Sequence, residues 1–184
     1  MKVSVNLAPV LREVASLLRD TLPKNIEIHV EIPSDSVPPV LGDSTQLHQV
    51  LLNLCLNARD AMSSGGSLSF SFSVISYAEE GRPKDIQVVV ADTGHGMSPE
   101  VQARIFNPFF TTKAVGQGTG LGLSTSHTII QDHGGRILVE FTPGKGTCFT
   151  VILPILAEKG PEGSTPEKTP AAQANGETIL VLDA

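Results

Sequence analysis

Two cysteines, Cys55 and Cys148, are too few in a chain of 184 residues to make a disulfide framework. Both sit among apolar neighbours, one in a helical pattern and one in a strand pattern, so they are expected to be buried, reduced thiols of a cytoplasmic protein. Positive charge is also short. Thirteen Lys and Arg against nineteen Asp and Glu leave a net charge of −6, which argues against nucleic acid or an anionic membrane as a partner. No apolar run approaches the length of a bilayer span and no signal peptide is recognisable, so no direct membrane contact is expected of these residues; a longer parent protein can still carry an anchor. There is no internal repeat. Nucleotide sites of the P-loop kind are excluded because no Gly-Lys-Ser/Thr occurs, and an aspartic protease is excluded because Asp92-Thr93-Gly94 has no second copy.

What is present is one domain's worth of periodic pattern followed by a change of composition. Leu7, Val10, Leu11, Val14, Leu17 and Leu18 recur at helical spacing behind Asn6, a good cap, and predict a helix near 6–20. Leu47, Val50, Leu51, Leu54 and Ala58, behind Asp43 or Ser44, predict a second near 44–62, and a third is expected near 121–133. Ile26, Ile28, Val30 and Ile32 alternate, as do Leu68, Phe70, Phe72 and Val74, which is the period of half-buried strands; 86–91, 136–141 and 148–153 complete five strands, with turns at Gly134-Gly135 and Pro143-Gly144. From 158 to 176 the chain is too rich in Pro, Gly, Glu and Lys to pack and reads as a linker.

Four sites carry candidate chemistry. Glycines alternate at Gly118, Gly120 and Gly122 before a helical run, an arrangement that lets main-chain N–H groups meet a phosphate, although a flexible surface loop gives the same pattern. Asn53, Asn57 and Asp60 fall at i, i+4 and i+7, so three polar groups share one stripe of the second helix. A carboxamide oxygen there suits Mg²⁺, which prefers oxygen ligands; a solvated helix face is the plainer reading. The apolar strand 88–91 ends in Asp92 and two glycines, Gly94 and Gly96, where a carboxylate can accept a hydrogen bond from the exocyclic amine of an adenine. Lys113 is a cation between these elements, and an exposed lysine without function is an equal alternative.

Taken in order, these segments resemble sensor histidine kinases of the nitrogen-regulator type. Gln49-Val50-Leu51-Leu52-Asn53-Leu54-Cys55-Leu56-Asn57-Ala58-Arg59-Asp60-Ala61-Met62 is similar to their N box, Asp92-Thr93-Gly94-His95-Gly96-Met97 to the first glycine box, and Ile105-Phe106-Asn107-Pro108-Phe109-Phe110-Thr111-Thr112-Lys113 to the F box. Gly116 through Leu123 resembles the second glycine box, and Gly144-Lys145-Gly146-Thr147-Cys148-Phe149 the closing Gly-Thr motif. Five motifs in one order are far more specific than any one of them. The resemblance implies the Bergerat ATP-binding fold, an α/β two-layer sandwich in which a mixed sheet of about five strands is covered on one face by about three helices, spanning 1–157. It implies ATP and Mg²⁺ as ligands, with Asn57 on the metal and Asp92 on the adenine. Gly94 and Gly96 would pass close to the base; Gly116, Gly118, Thr119, Gly120, Leu121 and Gly122 would lie along the phosphates, with Thr147 also at the nucleotide. Residues 111–119 would form a lid from which Lys113 reaches the γ-phosphate, with Phe106, Phe109 and Phe110 as apolar anchors of its root.

Reaction type turns on Asn53. ATPase relatives of this fold, gyrase and mismatch-repair proteins among them, carry a water-activating glutamate at the matching position, and an amide cannot take that proton. Transfer to an acceptor on another domain is therefore expected over hydrolysis. Asp60 departs from the resemblance, since many such kinases place a basic residue there, and Arg59 is turned from it by about 100° of helix. The implied acceptor histidine belongs to an upstream dimerisation domain, and none of His29, His48, His95, His127 and His133 fits it. Residues 177–184 resemble the first strand of a receiver domain, which would make a receiver or response regulator the onward partner. A non-catalytic ATP-binding module and an anti-sigma-type serine kinase share the fold and stay as alternatives.

Overall fold

The computed structural model describes residues 2–32, 37–75, 85–114, 118–142 and 144–156. The expected linker at 158–176 and the receiver-like strand at 177–184 lie outside the described residues, as does Gly116. In chain order the elements are β1 (Val3–Val5), α1 (Leu7–Thr21), β2 (Ile26–Glu31), β3 (Val40–Gly42), α2 (Ser44–Ala61), β4 (Gly66–Ile75), β5 (Asp85–Asp92), α3 (Pro99–Gln102), α4 (Gly122–Asp132), β6 (Arg136–Thr142) and β7 (Gly146–Pro154).

Five strands form one sheet in the order β2-β4-β5-β7-β6. β2 runs parallel to β4, and the remaining pairs are antiparallel, so the sheet is mixed. A parallel pair needs a crossover, and α2 lies in the connection that provides it. Alternation decides the faces: Leu68, Phe70 and Phe72 of β4, Val88 and Val90 of β5, and Phe149 and Val151 of β7 are buried under the helices, while Ser69 and Ser71 point the other way and are only partly covered. Leu11, Val14 and Leu18 of α1, Leu47, Val50 and Leu54 of α2 and Ile130 of α4 close the other side of this core. The two-layer sandwich expected from the sequence is the observed fold.

Cys55 is buried in this layer, where burial raises its thiol pKa strongly. Cys148 departs from expectation. Its neighbours Thr147 and Phe149 face the helices, so parity turns Cys148 to the open side of the sheet, where it is half-buried. The sequence reading also missed a second small sheet, in which Val3–Val5 pairs antiparallel with Val40–Gly42. Strands of three residues are too short for alternation to register.

Two tethers set α2 and α4 side by side. Asp43 caps α2, accepting the backbone N–H groups of Thr45 and Gln46, and its own N–H donates to His133 Nε2 at 3.0 Å. Because Nε2 accepts, the proton sits on Nδ1, which donates to the Ile129 carbonyl at 2.7 Å. His133 is thus a buried structural histidine at the C-terminal end of α4. The second tether, made by Asn53, belongs to the site below. Replacing His133 by Leu keeps the volume but strands a part-buried N–H at the α2 cap, and is expected to cost about 1 kcal/mol of stability in urea unfolding; an unchanged midpoint would contradict the tether.

Candidate functional site

A single cleft of about 410 Å³ opens between α2, the turn after β5, the segment 105–113 and the start of α4. Asn53, Asn57, Asp92, Gly96, Lys113, Gly118, Thr119, Gly120, Gly122 and Thr147 all line it. Residues more than ninety positions apart therefore meet at one concave surface.

Asp92 forms its inner end. It is the last residue of β5, paired across the ladder with Thr147 at the start of β7. Its Oδ1 accepts the Gly94 N–H at 2.8 Å. Burial pushes its carboxyl above the ordinary range, opposed by hydrogen bonds from the Gly94 and Thr147 backbone amides and by the nearby His95. Two glycines make this geometry possible. A Cβ on Gly146, whose φ is +105°, would lie 1.8 Å from the Asp92 carbonyl oxygen, and one on Gly94 would lie 2.5 Å from the Ala61 carbonyl oxygen at the end of α2. Gly94 consequently packs behind the cleft and is not among its lining residues. Gly96, with φ +67°, lies in the lining and turns the chain there.

On α2, Asn53 and Asn57 stand one turn apart, half-buried on the flank facing the cleft. The Asn53 amide nitrogen donates at 3.3 Å both to the Gly122 carbonyl and to Ser126 Oγ. A carbonyl can only accept, so the carboxamide is oriented with nitrogen toward α4 and Oδ1 away from that contact. Ser126 in turn donates to the Gly122 carbonyl at 2.8 Å and is fully buried. The sequence reading did not select Ser126; its one signal was a hydroxyl at a helix position otherwise expected to be apolar. Asn57 differs from Asn53: no described residue hydrogen-bonds its side chain. A half-buried carboxamide left free on a concave surface is a fitting oxygen donor for a hard cation.

The start of α4 is uncapped by any side chain, whereas Asn6, Asp43 and Ser98 cap α1, α2 and α3. Its first-turn N–H groups, from Gly122 onward, remain available to an anion. Leu121, just before the helix, is exposed and does not line the cleft. The glycines before it serve packing as well as access. A Cβ on Gly120, with φ +65°, would lie 2.4 Å from the Phe109 carbonyl carbon, and one on Gly118 would lie 2.9 Å from Thr111 Oγ1. The chain on the two sides of 115–117 thus runs in close contact, which an added side chain would force apart.

Phe106 and Phe110 behave as anchors, packed against the core, with Phe106 against His127 and the Arg104 guanidinium over the Phe110 ring. Phe109 does not. Its φ is +66° and its side chain is 75% exposed, because the turn that sends Phe110 toward the cleft leaves its neighbour outside. Arg59, expected to be turned away, lines the cleft with Asp60. Its Nε and Nη2 lie 2.8 and 2.7 Å from Asp60 Oδ1, and Lys113 Nζ lies 2.5 Å from Oδ2.

With this geometry in place, comparison with known proteins is direct. The family described as histidine kinase-, DNA gyrase B- and HSP90-like ATPase matches residues 42–157, and the chain belongs to it. It is 41% identical over 163 residues to the sensor kinase CckA of Brucella abortus, covering 84% of this chain and 17% of that protein, and 41% identical over 131 residues to the sensor histidine kinase ZraS of Escherichia coli K12, covering 71% and 26%. The chain therefore spans about a quarter or less of these relatives' length. The nucleotide-free catalytic domain of the histidine kinase ThkA superposes with a TM-score of 0.70 at 34% identity, covering 84% of this chain and 96% of that one. Full-length ShkA in complex with AMPPNP superposes at 0.69, with 31% identity over 85% of this chain and 32% of that one. The fold is that of a histidine-kinase catalytic domain.

Two glycines separate structural from ligand-facing roles. Gly146→Ala is expected to abolish cooperative unfolding or lower its midpoint by more than 10 °C, since backbone lies where the methyl must go. Gly122→Ala, whose Cβ meets nothing closer than 3.7 Å, is expected to leave the midpoint within a few degrees. Thermal denaturation followed by circular dichroism measures both, and equal midpoints would contradict the assignment.

Proposed function

We propose that this chain binds Mg²⁺-ATP in the cleft and transfers the γ-phosphoryl group to a histidine carried by the dimerisation domain of a two-component sensor kinase, from which a receiver domain or response regulator takes it onward. The observation that carries this reading is the convergence of a buried, amide-held carboxylate, a free carboxamide and an uncapped helix start on one cleft. Asp92 accepts the adenine amine. Gly96 and Thr147 border the base, with Gly94 and Gly146 holding the turn that shapes it. Gly118, Thr119, Gly120 and Gly122 make the phosphate-facing stretch, in which the α4 N–H groups are the donors, and Lys113 meets the terminal phosphate; Leu121 does not line the cleft, and the role expected of Gly116 falls on a residue outside the described ones.

Asn57 would hold Mg²⁺, which when bound neutralises charge on the phosphates. Asn53, fixed through its nitrogen to Gly122 and Ser126, presents an acceptor that cannot serve as a general base at neutral pH. Water is consequently not activated at this position, and in-line positioning of a separate nucleophile carries the reaction. Among the described residues no helix is long and apolar enough to cross a membrane; the domain would work in the cytoplasm, whether or not its parent is anchored. The extent 1–157 for the domain, with a linker to 176 and a receiver start at 177–184, belongs to the same proposal.

Supplying the chain with labelled Mg²⁺-ATP and a separate dimerisation domain bearing the histidine tests the reaction. Acid-labile, base-stable label on that domain is expected; acid-stable label on a serine would favour the anti-sigma type of kinase instead. Asp92→Asn is expected to weaken ATP binding by about 1–3 kcal/mol. Because the folded protein holds Asp92 above the usual carboxylate range, the ionised form that accepts the amine is lost at a higher pH than an ordinary aspartate would dictate, and ATP affinity should fall on acidification from there. A pH-independent affinity down to the ordinary aspartate range would contradict this role.

A further inference from the structure

The three charges at the C-terminal end of α2 are unusual for a polyphosphate site because one of them is negative. Asp60 stands on the cleft wall between two cations. Arg59 grips Oδ1 through two nitrogens, and Lys113, 53 residues along the chain, grips Oδ2 at 2.5 Å. The acid and the lysine side chains are each about one-third exposed or less. Burial tends to raise the Asp60 pKa, yet the hydrogen bonds and charges of Lys113 and Arg59 outweigh it and hold the carboxyl below its ordinary value. Asp60 is therefore ionised at neutral pH and paired.

An ammonium group already satisfied by a carboxylate is not available to a phosphate. We propose that Asp60 is a specificity-setting residue that acts through Lys113: it occupies the lysine in an internal ion pair which only a ligand carrying a terminal phosphate displaces. The inference rests on the nucleotide reading of the cleft, and deepens it by giving the departure at Asp60 a role. Arg59 keeps Asp60 partly neutralised when the lysine leaves, which makes the exchange feasible. A diphosphate that does not reach Lys113 leaves the pair intact and gains nothing from it. A triphosphate gains the lysine but loses the pair, so the net gain from the third phosphate is smaller than the contact alone would give. The domain then binds ATP less tightly than its cations permit, and can release it.

Calorimetric titration of the 184-residue chain with Mg²⁺-ATP and Mg²⁺-ADP, in the parent and in Asp60→Asn, Lys113→Ala and the double variant, tests this. Asp60→Asn is expected to tighten ATP about three- to tenfold, the size of a partly exposed ion pair, while ADP changes less than about twofold. In the Lys113→Ala background the same substitution should give no preferential gain for ATP. Asp60→Ser serves as the second variant, and matched unfolding midpoints confirm that folding is intact. Weaker or unchanged ATP binding in both Asp60 variants, an equal gain for ADP, or a gain that persists without Lys113 would overturn the proposal. Failure of the parent chain to bind ATP would instead remove the nucleotide reading beneath it.

Discussion

The site depends on the close approach of β7 to the end of β5. Where Gly146 passes the Asp92 carbonyl there is no room for a side chain, and this contact lets the Thr147 amide reach the Asp92 carboxylate from one side while Gly94 reaches it from the other. An acid buried against the core would ordinarily be costly, and two amide donors offset part of that cost without neutralising it. The result is a fixed acceptor at the inner end of a cleft.

From that end outward, each layer of the fold adds one group. The core under the sheet fixes α2, and the helix presents Asn53, Asn57 and Asp60 in a stripe. His133 and Ser126 then bind α2 to α4 at two points along their length, so that the start of α4 and the stripe cannot drift independently. The close packing of Gly118 and Gly120 against 109–113 holds Lys113 beside Asp60. Carboxylate, amides, helix start and lysine thus line one cleft. Histidine-kinase catalytic domains share this fold, and the chain's likeness to ThkA over nearly the whole of that domain agrees with it.

Much of this was legible in the sequence because its signals are periodic or motif-bound. The five strands and three long helices followed from alternation and helical spacing, and ten of the expected site residues do line one cleft. Individual orientations were less legible. Arg59 was expected to point away by helix angle alone, but a long guanidinium bends back to a neighbouring carboxylate, which backbone geometry does not encode. Phe109 read as an anchor like Phe106 and Phe110, and only the positive φ at that residue turns it outward. Gly94 and Gly120 read as openings for ligand; their missing side chains make room for Ala61 and Phe109, and of the two only Gly120 also lines the cleft. Ser126 and the exposed side of Cys148 depend on tertiary partners, and short strands such as β1 and β3 carry too few residues to show a period.

The central claim is that one cleft reads a purine at Asp92 and holds its phosphates at α4. Calorimetry of the unmodified chain with Mg²⁺-ATP and with Mg²⁺-GTP measures this most directly, since a carbonyl replaces the exocyclic amine at the position the carboxylate would accept from. The account predicts one ATP per chain and GTP weaker by about tenfold or more. Equal affinity for the two nucleotides, or no heat with either, would contradict it.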